Sequence, residues 1–163
     1  MKYSRFEELP VWKDAIKLAI HIYDFTNQSA FKGRYSLKDQ IERAGLSISN
    51  NIAEGFERGT TQEVLTFLYI ARGSAGEVRS MLCLLENLSA FQHLKFEISN
   101  LKSRAEDVSR QLRAWAASLQ NSDIRGQRYL TNKTRTKSKE AREREEFLKE
   151  LEQIKNQNSV RDS

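Results

Sequence analysis

The chain has 163 residues, of which 39% are hydrophobic and 30% charged, and its formal net charge is +5. That mix excludes a disordered chain, and no apolar run approaches the roughly 18–20 residues a membrane span requires. A single cysteine, Cys83, excludes an internal disulfide, and a chain of this length buries enough surface to fold without one.

The one proline is Pro10, the glycines fall at punctuating positions, and no alternating strand pattern of useful length exists, so the elements are helices. Helix one is predicted from Pro10 to Asn27, with proline suited to the first turn. Its apolar face is Val11, Ala15, Leu18, Ile22 and Phe25, widened by Trp12, Ile16, Ala19 and Tyr23. A loop from Gln28 to Tyr35 carries Gly33. Ser36 is the expected N-cap of helix two, which runs to about Phe56 with Leu37, Ile41, Ala44, Ile48 and Ile52 inward. Gly59 ends the connection. Thr60 and Glu63 form a capping-box pattern that opens helix three, predicted from Thr61 to Leu88.

Helix three is the most apolar stretch. Val64, Leu68, Ala71, Ala75, Val78, Leu82 and Leu85 repeat helically, and Leu65, Phe67, Met81 and Leu84 fill flanking positions, so it is expected to meet two surfaces. Cys83 lies in the apolar run Ser80–Leu85 and is expected to be buried and inert. Gly73 and Gly76 each cost about 1 kcal/mol against alanine in a helix interior, which predicts a second backbone packed closely on them. Helix four spans about Phe96 to Gln120, with Ile98, Leu101, Ala105, Val108, Leu112, Trp115 and Leu119 inward. Four amphipathic helices with short loops predict an all-α, antiparallel up-and-down four-helix bundle over residues 1–122.

After Ser122 the character changes. Residues 123–139 form a basic connector in which Arg125, Arg128, Lys133, Arg135, Lys137 and Lys139 stand against Asp123 alone, so this segment holds the whole +5. Residues 140–163 are a charged helix followed by a tail expected to be disordered. Phe147, Leu151 and Ile154 make a thin stripe, either on a solvated helix or on one that docks or self-associates. The bundle is therefore expected to carry a basic, partly helical C-terminal extension.

Residues that could carry catalysis are scarce. His21 and His93 lie in no metal-binding pattern: neither follows a glutamate by three residues, as a carboxylate-bridged bundle site requires. Gly73-Ser-Ala-Gly76 lies inside a helical pattern and cannot cradle phosphate as a loop. The sequence implies no catalytic residues, metal or cofactor, and the protein is not expected to be an enzyme. One polar feature stands out. Ser47, Asn51, Glu54 and Arg58 recur at steps of four, three and four, and Arg72 and Glu77 lie among apolar neighbours on helix three. The readings left open are an exposed polar face, a hydrogen-bonded network between helices or subunits, and a ligand or nucleic-acid contact.

The same residues carry a resemblance. Ser47-Ile-Ser-Asn-Asn-Ile-Ala-Glu-Gly55, then Arg58-Gly59, then Phe67-Leu-Tyr-Ile-Ala-Arg-Gly-Ser74 with Glu77, resemble the signature of the four-helix bundle proteins encoded in 23S rRNA intervening sequences. Phe6-Glu-Glu-Leu-Pro-Val-Trp12 and Leu37-Lys-Asp-Gln-Ile-Glu-Arg43 resemble it too, over about residues 3 to 120. The resemblance implies a homopentamer of bundles with no known catalytic activity. A cytoplasmic location is expected instead from the lone cysteine and from Met1–Glu8, which has no apolar signal core. The resemblance also implies kinship with the accessory variability determinant of diversity-generating retroelements, which binds a reverse transcriptase and nucleic acid through a basic surface. Ser49-Asn50 stands where the family usually has Pro-Ser, Glu42 where a second basic residue is common, and Arg79 where an acidic residue is common.

The expected function is non-catalytic, homo-oligomeric nucleic-acid binding, to RNA before DNA, through the six connector cations, with Arg43, Arg58 and Arg72 contributing from the bundle. The alternative is a protein-interaction adaptor, such as the accessory protein of a retroelement reverse transcriptase. No membrane partner is expected.

Overall fold

The computed structural model describes residues 3–122. Four helices run through them: α1 (Pro10–Thr26), α2 (Tyr35–Arg58), α3 (Thr61–Asn87) and α4 (Lys95–Gln120), with short 3-10 turns at Phe6–Glu8, Ser29–Phe31 and Ser89–Leu94. The described residues contain no strand, and none of their helices is long and apolar enough to cross a membrane. The predicted extension lies outside the described residues.

Register along each seam shows how the helices run. Ile22 meets Gly45 and Thr26 meets Glu42, so α2 descends as α1 ascends. Gln40 meets Glu77, Ser47 meets Ser74 and Gly55 meets Phe67 across α2 and α3. Glu86 meets Lys102 and Arg79 meets Glu106 across α3 and α4, and Asp14 meets Gln111 as α4 closes on α1. Every adjacent pair is antiparallel, which is the up-and-down bundle expected of short connections.

The apolar stripes face one another inside. Ala15, Leu18 and Ile22 of α1, Ile41, Ile48 and Ile52 of α2, Leu68, Ala71, Ala75, Val78, Leu82 and Leu85 of α3, and Ile98, Ala105 and Leu112 of α4 are buried almost completely. Two loop aromatics add to this core: Phe31 and Phe91, both buried, stack edge-to-face at 4.9 Å, and Phe25 meets Phe31 in the same way at 5.3 Å. These contacts draw the α1–α2 and α3–α4 connections to the same end of the bundle.

The helix ends follow local chemistry. Gly59 ends α2 at φ +80°, the left-handed conformation glycine adopts without a side-chain penalty. The Thr60 side chain accepts from the Glu63 N–H at 3.2 Å, as its position predicts. Its hydroxyl also donates to the Glu63 carboxylate at 2.5 Å. We expect Thr60→Ala to lower stability by about 1 kcal/mol, measured by urea denaturation, because it strips the first turn of α3 of its cap. Ser36 is not the cap of α2. That helix begins at Tyr35 after Arg34, without a side-chain cap, and continues two residues beyond the predicted end at Phe56.

Further expectations are corrected. Cys83 is exposed, because the inward side of α3 is already set by Leu82 and Leu85, and the next residue is turned outward. Leu84 is exposed for the same reason, and Tyr23 lies on the outer side of α1. Gly73 and Gly76 are open to solvent, with nothing within 4 Å of an added Cβ, so no second backbone of this chain packs on them. The close approaches lie on α2 instead. A Cβ on Gly45 would come within 2.7 Å of the Ile22 Cδ1, and one on Gly55 within 2.7 Å of the Phe67 Cβ.

Candidate nucleic-acid interface

The polar stripe of α2 lies on its seam with α3. It is divided into separate contacts and does not form one network. In the middle, the Ser47 and Ser74 hydroxyls share a hydrogen bond at 3.0 Å, and the Asn51 amide donates to the Ser47 carbonyl at 2.7 Å and to its Oγ at 3.0 Å. Ser74 also donates back to the Ile70 carbonyl, so both helices are tied to the pair. Nearer one end, Gln40 donates to Glu77 at 3.3 Å. Nearer the other, Arg58 pairs with Glu54 one turn before it at 2.5 Å, and its guanidinium sits 5.1 Å over the Phe67 ring. The hydrogen bond that Arg58 donates to Glu54 holds its pKa above its ordinary value. The middle contact joins two helices, whereas the Glu54–Arg58 pair stays within one.

The bundle cations proposed from sequence are arranged unequally. Arg43 is exposed and bonded to Asp39 at 3.2 Å. Arg58 is committed to Glu54. Arg72 is exposed and makes no ion pair among the described residues. Arg125, Arg128, Lys133, Arg135, Lys137 and Lys139 lie outside the described residues.

Elsewhere on the surface several charges are neutralised in place. Lys17 pairs with Asp14, Arg79 with Glu106, Lys102 with Glu86 and Arg110 with Asp107. Lys102 is the best seated of these. Glu86 accepts its hydrogen bond at 2.8 Å across the α3–α4 seam and holds its pKa above the usual lysine range. Glu42 is part of the fold's framework: it accepts a hydrogen bond from the buried Thr26 hydroxyl and lies 3.7 Å from Lys38, tying the end of α1 to α2. In sequence Glu42 is only a departure from a basic residue common in the family. Its link to Thr26, sixteen residues earlier, depends on how the two helices pair.

The outward face of α3 is of a different kind. Thr66, Tyr69, Gly73, Gly76, Ser80 and Leu84 lie along it, all exposed and none charged. Tyr69, Ile70 and Leu84 leave close to half of their surface in solvent. Leu84 is expected from sequence to meet a second surface, and Gly73 and Gly76 a second backbone, whereas Thr66, Tyr69 and Ser80 have no expected role; their lack of charge at helical spacing is the signal that could have marked them.

Fold and surface together define a compact helical scaffold with balanced charge, an uncharged outer face on α3 and polar contacts along the α2–α3 seam. The chain belongs to the 23S rRNA-intervening sequence protein family, whose model matches residues 7–114. The match spans α1, α2, α3 and most of α4. A search of curated proteins finds no match to the chain.

Proposed function

We propose that this protein is a non-catalytic, homo-oligomeric, cytoplasmic protein that binds nucleic acid, RNA in particular, through phosphate charge. The observation that carries this reading is the distribution of charge. Residues 1–122 hold 16 lysines and arginines against 14 acidic residues, and many of those cations are already paired on the bundle surface. Residues 123–139 hold six cations against one acid. A polyanion therefore gains most by engaging Arg125, Arg128, Lys133, Arg135, Lys137 and Lys139, releasing its counterions as it does so.

The uncharged outer face of α3 supports self-association, since a surface with exposed aromatic and aliphatic side chains beside glycines suits close packing against another copy. A homopentamer repeats the basic segment five times and strengthens the field that draws nucleic acid to it.

The reading is tested on the full chain with all six connector cations changed to glutamine. The unaltered protein should lose about 100-fold in RNA affinity between 50 and 200 mM salt if about five phosphates are contacted, and the substituted protein should lack most of the affinity at low salt. Sedimentation at micromolar concentration should give five chain masses for both. A monomeric mass contradicts the assembly. An oligomer that binds neither RNA nor DNA contradicts nucleic-acid binding and points to a protein partner, such as a reverse transcriptase.

A further inference from the structure

The charge of the bundle is itself uneven. The stacking of Phe31 on Phe91 brings two connections, distant in sequence, to one end of the molecule. Residues 27–38 and 88–96 together carry Lys32, Arg34, Lys38 and Lys95, with His93 beside them, and contain no aspartate or glutamate. Residues 1–122 have an excess of only two positive charges, so the rest of that segment is net negative by two. These two connections are the basic part of the bundle, a pole bordered by Asp24, Asp39 and Glu97.

The same pole holds the two most exposed large apolar side chains among the described residues, Tyr35 at 77% and Phe96 at 80%. Each lies in the first turn of a helix, α2 and α4 respectively, and neither contributes to the core. Tyr35 lines a groove of about 300 Å³ with Lys32 and Lys38, and Phe96 lines one of about 230 Å³ with His21 and Arg104; Gln28 borders both, so the two grooves adjoin. Arg34, on the same connection as Lys32, donates to the Ala30 carbonyl at 2.8 Å with its guanidinium 5.8 Å over the Phe91 ring. Lys32 and Lys95 make no ion pair among the described residues. Lys38 lies beside Glu42 and donates to Asn27 at 3.0 Å. Asp24 and Glu97 also line the Phe96 groove, so its positive charge is partly offset and the Tyr35 groove, lined by Lys32 and Lys38, is the more basic of the two.

Free cations interleaved with solvent-facing aromatic rings suit one ligand chemistry: a polyanion whose flat bases are unstacked and open to a ring face. We propose that this pole is a second nucleic-acid contact, selective for single strands, in which Lys32, Arg34 and Lys95 meet phosphates while Tyr35 and Phe96 each stack on a base. Duplex offers the phosphates but keeps its bases stacked on one another, so the rings gain nothing from it. The pole lies at the opposite end of α4 from Ser122, and a helix of 26 residues is about 39 Å long.

This inference rests on the nucleic-acid-binding reading and deepens it, and the test separates the two. The full chain, Tyr35→Ala/Phe96→Ala, Tyr35→Phe/Phe96→Tyr and Lys32→Gln/Lys95→Gln are titrated with a labelled 20-nucleotide polyuridine strand and with an RNA duplex of equal length. Both aromatic side chains are largely in solvent, so the thermal midpoint should not change. Loss of both rings should weaken single-strand binding about 30-fold or more, leave duplex binding unchanged and be rescued by the aromatic exchange. Loss of the two lysines should make the salt slope shallower by about 1 to 2 for either form. Unchanged single-strand affinity without the rings, in a chain whose binding still falls when the six connector cations are neutralised, overturns the pole and leaves the connector reading intact. Absence of binding by the unaltered chain overturns both. Loss of the oligomer on removing the rings also overturns the pole as a nucleic-acid contact and makes it a subunit contact.

Discussion

Phe91→Ala is expected to lower the unfolding free energy by about 3–5 kcal/mol, the range for truncating a fully buried phenylalanine. Phe91 has no exposed surface, packs edge-to-face on Phe31 and supports the guanidinium of Arg34. Truncation removes the transfer energy of the ring and leaves a cavity, and the Phe25–Phe31–Phe91 chain of contacts loses its last member. Helix packing holds the walls of that cavity apart, so little collapse can offset the loss. Domains of this kind are stable by only about 5–15 kcal/mol, so the variant should unfold at markedly lower urea concentration. A midpoint shift equivalent to less than about 1 kcal/mol would show that the two connections are not held together by this stack.

Gly55→Val should cost about 3 kcal/mol, at the upper end of what overpacking usually does. The added Cβ meets the Phe67 Cβ at 2.7 Å, and that atom cannot swing aside because it is fixed to the α3 backbone. The α2–α3 spacing must therefore open. Gly45 is less demanding although its Cβ contact is equally short, because the atom met there is the tip of Ile22. Gly73 provides the control. Nothing lies near its missing Cβ, so Gly73→Ala should stabilise an isolated subunit by about 1 kcal/mol through helix propensity alone. Chemical denaturation of the two variants measures the contrast. Equal costs at positions 55 and 73 would contradict the helix seam described here.

These residues also show what the sequence could and could not reveal. The inward stripes of all four helices were legible because a helical period leaves a mark that no partner is needed to read: Ile41, Ile48 and Ile52, or Ala71, Ala75 and Val78, are buried where their spacing puts them. The Thr60 cap was legible because its chemistry is local. Cys83 was misplaced because the run Met81–Leu85 is apolar throughout and hides the phase of the helix. The glycines were misassigned because close approach is a property of a pair. Gly45 and Gly55 are tight only because Ile22 and Phe67 face them, whereas Gly73 and Gly76 face outward. The basic pole was the least legible, since Tyr35 and Phe96 are 61 positions apart in sequence and only the closed bundle brings them to adjoining grooves at one end. The polar stripe was legible as a stripe, but its division into a Ser47–Ser74 contact and a Glu54–Arg58 pair required the α2–α3 register.

Salt dependence of single-stranded RNA binding by the full chain tests the central claim most directly. Six connector cations at about 0.7 each predict a slope of log affinity against log salt near −4, and steeper where the pole contributes. A slope near zero, or no binding at 50 mM salt, would contradict a protein that works by meeting phosphate charge.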